Sequence, residues 1–133
     1  MSVCLLDTSA LLAHYRNEPG ATRVQALLED EQAEIAVSSV SVAELAWRLL
    51  DLGADSASAR STTLEYAGLA ATVVPVDAAV AVRAFEIGAT ATQRIPLVDT
   101  LIAACASVLG ATLVHRNPHF LSMASGLVAS EAL

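Results

Sequence analysis

Apolar and polar positions follow two rhythms along this chain. Short apolar or β-branched runs at residues 2–6, 34–38, 72–76 and 111–115 read as buried strands. Between them, segments with apolar residues three and four apart read as helices at 10–16, 21–31, 40–52, 56–71, 77–91 and 96–109. In the second of these, Val24, Leu27 and Leu28 share one face. Asn17-Glu18-Pro19-Gly20 breaks the first helix from the second, Pro96 opens the last, and Gly53 and Gly110 are stop signals. A turn at Asn117-Pro118 and a short strand at residues 127–129 close the pattern. Strands separated by helices predict an α/β sandwich: a mostly parallel central sheet of four to five short strands, flanked by helices on both faces. Sites in such sheets form just beyond the carboxyl ends of the strands, where Asp7 and Asn117 fall.

Composition narrows this. A chain of 133 residues without repeat, charge block or linker is expected to form one domain over residues 1–133. Hydrophobic residues make up 55% and aromatics only 4%, which favours closely packed small-residue helices over a β-sandwich. All seven basic residues are Arg, so mechanisms that need a lysine, such as Schiff bases and phosphate-loop chemistry, are excluded. Fourteen acids against seven arginines give a net charge of −7, which argues against salt-driven binding of bulk nucleic acid. Clustered acids holding a divalent metal would be a local exception. Cys4 and Cys105 lie in apolar runs and read as reduced core residues. The start of the chain lacks a basic segment and carries Asp7 within its apolar stretch, so no signal peptide is expected. The longest uncharged apolar segment, residues 100–114, is shorter than the roughly 20 residues that span a bilayer. A cytoplasmic protein is the expectation.

Three acids stand among apolar residues: Asp7 in VCLLD, Glu44 in SVAELAW and Asp99 in IPLVDTLIAACA. Asp99 is the only acid between residues 95 and 115. Burying a lone carboxylate costs several kcal/mol unless it is neutralised, paired or bound to a cation. Acids converging at strand ends raise one another's pKa unless a divalent ion sits between them, and carboxylate oxygens suit Mg²⁺ or Mn²⁺. Each acid also has a structural reading. Asp7 suits an N-cap, Glu44 a capping box with Ser41, and Asp99 the first turn of a helix opened by Pro96. Asp77 shows the same pattern and is assigned only a cap. Spacing alone does not separate the two readings.

The blocks LLDTSALLA, SSVSVAELAW and RIPLVDTLIAACASVLGATLVHRNPHF resemble, in this order, the successive motifs of PIN-domain ribonucleases. The likeness is greatest to VapC-type toxins of bacterial toxin–antitoxin pairs and covers residues 3–121. The resemblance implies that Asp7, Glu44 and Asp99 hold a catalytic Mg²⁺ or Mn²⁺, with Ser9 supporting the first acid. It implies an RNA substrate such as tRNA or rRNA, a homodimer and a cognate VapB-like antitoxin. Many members carry an acid where this chain has Asn117, after His115-Arg116. Asn117 offers a neutral oxygen there, as in some toxin-like relatives, so activity is expected to survive. Arg94 and Arg116 bracket the Asp99 block and read either as ordinary surface charges or as contacts to RNA phosphates. His115 and His119 read as surface or strand-end residues, and Trp47 as core or dimer surface. Two rivals stay open: a PIN-fold binding module in which the acids are caps, and a PIN-type nuclease acting on other nucleic acid.

Overall fold

The computed structural model describes residues 2–133. Its elements are β1 (Ser2–Leu6), α1 (Thr8–Tyr15), α2 (Ala21–Glu29), β2 (Ala33–Ser38), α3 (Ser39–Asp51) and α4 (Ser56–Leu69), followed by β3 (Thr72–Val74), α5 (Ala78–Thr90), α6 (Leu97–Leu109), β4 (Thr112–His115) and β5 (Ser130–Ala132). A 3₁₀ turn over Pro118–Ser122 lies between the last two strands. All four strand pairings are parallel, in the order β3-β2-β1-β4-β5. The chain thus builds outward from β1 in one direction and returns to build from its other side. The carboxyl ends of β1 and β4 part at this reversal, which is where an open parallel sheet forms its crevice.

Both faces of the sheet are covered, which explains why the strands are continuously apolar. Leu5, Ala36 and Leu113 point into a core shared with Val80, Ile87 and Ile102 of α5 and α6. Their neighbours Leu6, Val37 and Val114 point into the opposite core, with Leu11, Val24, Leu45 and Leu49 of α1, α2 and α3. Ala103, Ala104, Cys105 and Ala106 of α6 are fully buried, so small side chains let this helix lie close to the sheet. Cys4 and Cys105 are buried free thiols, as their apolar runs predict. No helix among the described residues is long and apolar enough to cross a membrane.

Three details depart from the sequence-based expectation. The strand expected over residues 72–76 stops at Val74, because Pro75 has no N–H to give a ladder. The last strand lies at Ser130–Ala132 rather than at 127–129. Leu127 and Val128 instead pack on the α5–α6 core, and Ser130 to Ala132 pair with Leu113 to His115. The capping box of Ser41 and Glu44 does not form. β2 runs directly into α3, so Ser38 is the cap and accepts from Val40 N–H at 3.1 Å. Ser41 is buried one turn inside the helix, where its hydroxyl accepts from Thr8 Oγ1 at 3.0 Å. Asp77 caps α5 by accepting from Val80 N–H, as expected.

Gly20 leads into α2 with φ of 100°, and a Cβ there would stand 2.9 Å from Leu133 Cβ. Gly20→Ala is therefore expected to cost about 2 kcal/mol, from the left-handed backbone and from displacement of the β5 end. Urea unfolding measures this, and an unchanged midpoint would contradict it.

Candidate active site

Asp7 is the residue after β1, and its backbone N–H donates to Val114 O of β4 at 2.9 Å. Its side chain caps α1: Oδ2 accepts from Ser9 N–H at 3.1 Å and from the Ser9 hydroxyl. The same hydroxyl accepts from Arg116 N–H at 2.9 Å. Ser9 thereby ties the end of β4 to the carboxylate at the end of β1. The cap expectation for Asp7 holds, but it accounts for only one oxygen. Asp7 is 2% exposed, and its Oδ1 is buried with no hydrogen-bond partner. Burial, above all, pushes this carboxyl up to about 6; Asp99 and Glu44 push the same way, and the Ser9 bonds oppose them.

Asp99 lies in the first turn of α6, whose amino end reaches the same edge of the sheet. Its Oδ2 is next to His119 Nδ1 at 2.8 Å and accepts from Asn117 Nδ2 at 3.1 Å. Asn117 is itself fixed twice. Its side-chain oxygen caps the 3₁₀ turn by accepting from His119 N–H at 3.0 Å, and its backbone N–H donates to His115 Nδ1 at 3.1 Å. Glu44 projects from α3, half-buried. Asp7, Ser9, Glu44, Asp99 and Asn117 line one cavity of about 190 Å³, together with Thr8, Leu12 and Arg48.

The structure therefore brings five of the seven candidate residues to one place. Arg116 contributes its backbone to the site, while its side chain lies 3.9 Å from Glu18. Arg94 is elsewhere, in a separate cavity between α5 and α6 beside Phe85 and Leu97. His115 is a strand-end residue, the last of β4, but it is not on the surface. It is 1% exposed, stacked edge-on against Phe120, and burial lowers its imidazole pKa. Since Nδ1 accepts from Asn117 N–H, the ring proton belongs on Nε2, which has no partner. His119 is half-exposed as expected, but its ring is committed to Asp99. Trp47 is 68% exposed and is not core. Arg48 was missed, although its spacing of four from Glu44 on a helix was the available signal.

The donor set is all oxygen and carboxylate-rich, which fits a hard divalent cation. The partnerless buried Oδ1 of Asp7 is the atom that such an ion would satisfy. The fit lies in chemistry and placement rather than in a finished cage. Among the described residues, no group of three or more His, Cys, Asp and Glu side chains stands close enough, as placed, to hold an ion.

Comparison with known proteins agrees with this fold. The fold matches VapBC2 from Rickettsia felis, solved with a DNA fragment from the promoter, with TM-score 0.77 and 20% identity over 98% of each chain. It matches FitAcB from Neisseria gonorrhoeae with TM-score 0.72 and 26% identity, covering 96% of this chain and 95% of that one. VapBC-5 from Mycobacterium tuberculosis, a member of the VapBC family of toxin–antitoxin systems, matches with TM-score 0.64 and 22% identity, covering 100% and 98%. No curated protein sequence matches significantly. The PIN domain family model matches residues 4–126, from the middle of β1 to the turn before β5. A match over nearly the whole chain, on a sheet whose reversal point gathers the three acids, establishes that this chain belongs to the PIN-domain family.

Proposed function

We propose that this chain is a Mg²⁺- or Mn²⁺-dependent endoribonuclease, the toxin of a VapBC-like toxin–antitoxin pair, with Asp7, Glu44 and Asp99 as the metal-holding acids. One observation carries the reading: the buried Asp7 carboxylate leaves an oxygen unpartnered, and two more acids line the same cavity. A buried carboxylate without a counter-ion costs several kcal/mol, and among the described residues no Arg or His nitrogen lies within 4.0 Å of the Asp7 carboxylate. Membership of the PIN-domain family supplies the nuclease class.

When bound, the divalent ion would lower the pKa of a water and stabilise charge developing on the phosphoryl oxygens. The chain's own residues prepare for it. Ser9 holds one oxygen of Asp7 and leaves the other free. Asn117 and His119 both engage Oδ2 of Asp99, fixing the direction of that carboxylate. Partners of this kind around ligating groups typically change metal affinity or activity by about 10–100-fold. Asn117 adds no charge, so three carboxylates face the cavity, a set suited to one tightly held ion. The substrate in this reading is RNA, tRNA or rRNA, cut at phosphodiester bonds. The net charge of −7 suits a basic antitoxin segment as partner. Val82, Phe85 and Leu97, exposed on α5 and α6, offer apolar surface for a homodimer.

The test is incubation of the protein, freed of any co-purified partner, with total tRNA and rRNA. Discrete fragments are expected with Mg²⁺ or Mn²⁺, and none with EDTA. RNA left intact under both ions would contradict the reading. It would favour instead a PIN-fold binding module, the alternative that Asn117 in place of an acid supports.

A further inference from the structure

All fixed positive side-chain charge in this chain comes from seven arginines. Four are committed: Arg16 and Arg116 to Glu18, Arg23 to Glu131 and Arg83 to Glu86. Of the other three, Arg60 lines the groove between α3 and α4, and Arg94 the cavity between α5 and α6. Arg48 alone lines the acid cavity through its side of α3. It stands four residues beyond Glu44, the spacing at which Glu and Arg meet on a helix. Yet among the described residues no carboxylate lies within 4.0 Å of its guanidinium, and that group makes no hydrogen bond. Arg48 is exposed, so its head is accessible at the mouth of the cavity.

We infer that Arg48 grips an RNA phosphate beside the bond to be cut, as a substrate-binding residue of the site. This rests on the ribonuclease reading above. A phosphodiester entering the cavity meets three carboxylates. A divalent ion offsets two of those charges and the phosphate brings a further one, so the only fixed side-chain cation lining the cavity, Arg48 at its rim, is the group placed to meet the phosphate. Guanidinium is suited to this because its planar fork donates two parallel hydrogen bonds to phosphate oxygens and never loses its proton. Such a contact fixes the position of the strand without reading the bases, so it serves any sequence that the rest of the surface admits.

The experiment compares wild type, Arg48→Gln and Arg48→Lys on one end-labelled RNA that the wild type cleaves, at several salt concentrations. Arg48→Gln is expected to raise KM about tenfold, with the loss falling on KM rather than kcat. The slope of log KM against log salt should shrink by about 0.7, the value for one phosphate contact on a single strand. Arg48→Lys should restore the salt slope but not the full affinity, since a point charge replaces the fork. Direct binding of the same RNA to Asp99→Asn, which is expected to leave it uncut, should weaken by the same factor when Arg48→Gln is added. Mn²⁺ affinity by calorimetry should stay within about twofold, because no carboxylate is in contact with Arg48. An unchanged KM and salt slope would overturn the inference and leave the ribonuclease reading standing. A changed Mn²⁺ affinity with unchanged KM would overturn it too, making Arg48 a counter-ion of the acids. If the wild type cuts no RNA, the ribonuclease reading falls and this inference with it.

Discussion

Asp99→Asn is expected to lower RNA cleavage by at least about 100-fold while leaving the fold intact. The figure is the upper end of what loss of a mere supporting partner costs a metal site, and a ligating carboxylate should cost no less. The substitution removes a charge but hardly any volume. An amide oxygen can still accept from His119 or Asn117, the two partners that now share Oδ2. Helix α6 keeps its buried face of Ile102, Ala103, Cys105 and Ala106, and loses only a favourable charge in its first turn, worth about 0.3–1 kcal/mol. Circular dichroism and a urea midpoint separate folding from chemistry. Cleavage within about threefold of wild type, in a folded variant, would remove Asp99 from the site.

Asp7→Asn should have the opposite effect on stability from most substitutions of a buried polar residue. The Asp7 carboxyl is pushed from 3.8 to about 6 in the metal-free protein, chiefly by burial. Between those two values the folded chain keeps a proton that the unfolded chain releases. The stability this provides is complete below about pH 4 and is lost as pH rises through about 6. Ionised Asp7 thus costs the metal-free fold about 3 kcal/mol at neutral pH. Asn removes that cost but places an N–H₂ where Oδ1 has no partner, which returns about 1–3 kcal/mol. The net expectation is a variant at pH 7.5 in EDTA that is no less stable than wild type, and more stable by about 1 kcal/mol. The sharper signature is that the wild type weakens from pH 4 to 6 relative to the variant. Buried His115, whose lowered pKa makes stability rise with pH, is common to both proteins and cancels in the difference. Parallel pH profiles would contradict the account of Asp7. An acid kept at a position that weakens the fold is the expected trade of stability for function.

Much of this was readable from residue patterns, for a physical reason. Strands buried on both faces must be continuous apolar runs, and helices between them must show one apolar stripe, so β1, β2, α2 and α6 stand out. The parallel sheet in turn places Asp7 and Asn117 at one edge. What could not be read depends on tertiary partners. Ser130 to Ala132 has no strand-forming residues and is a strand only because β4 offers an open edge. Ser38, Ser39 and Ser41 all sit near the start of α3, and only the absence of a loop after β2 decides which one caps it. His119 meets Asp99 because the Pro118 turn folds back, a contact that no spacing rule over 20 residues reports. His115 is polar, and only its place at the end of a central strand shows that it is buried.

In the proposed mechanism Asp7 and Asp99, far apart in sequence, hold one divalent ion together. Calorimetric titration of Mn²⁺ into wild type, Asp7→Asn and Asp99→Asn tests it most directly, on protein stripped of metal and of any partner. A single binding event is expected in the wild type and its loss in both variants. A wild type that binds no Mn²⁺, or variants that bind it as the wild type does, would contradict the claim and leave these acids as helix caps.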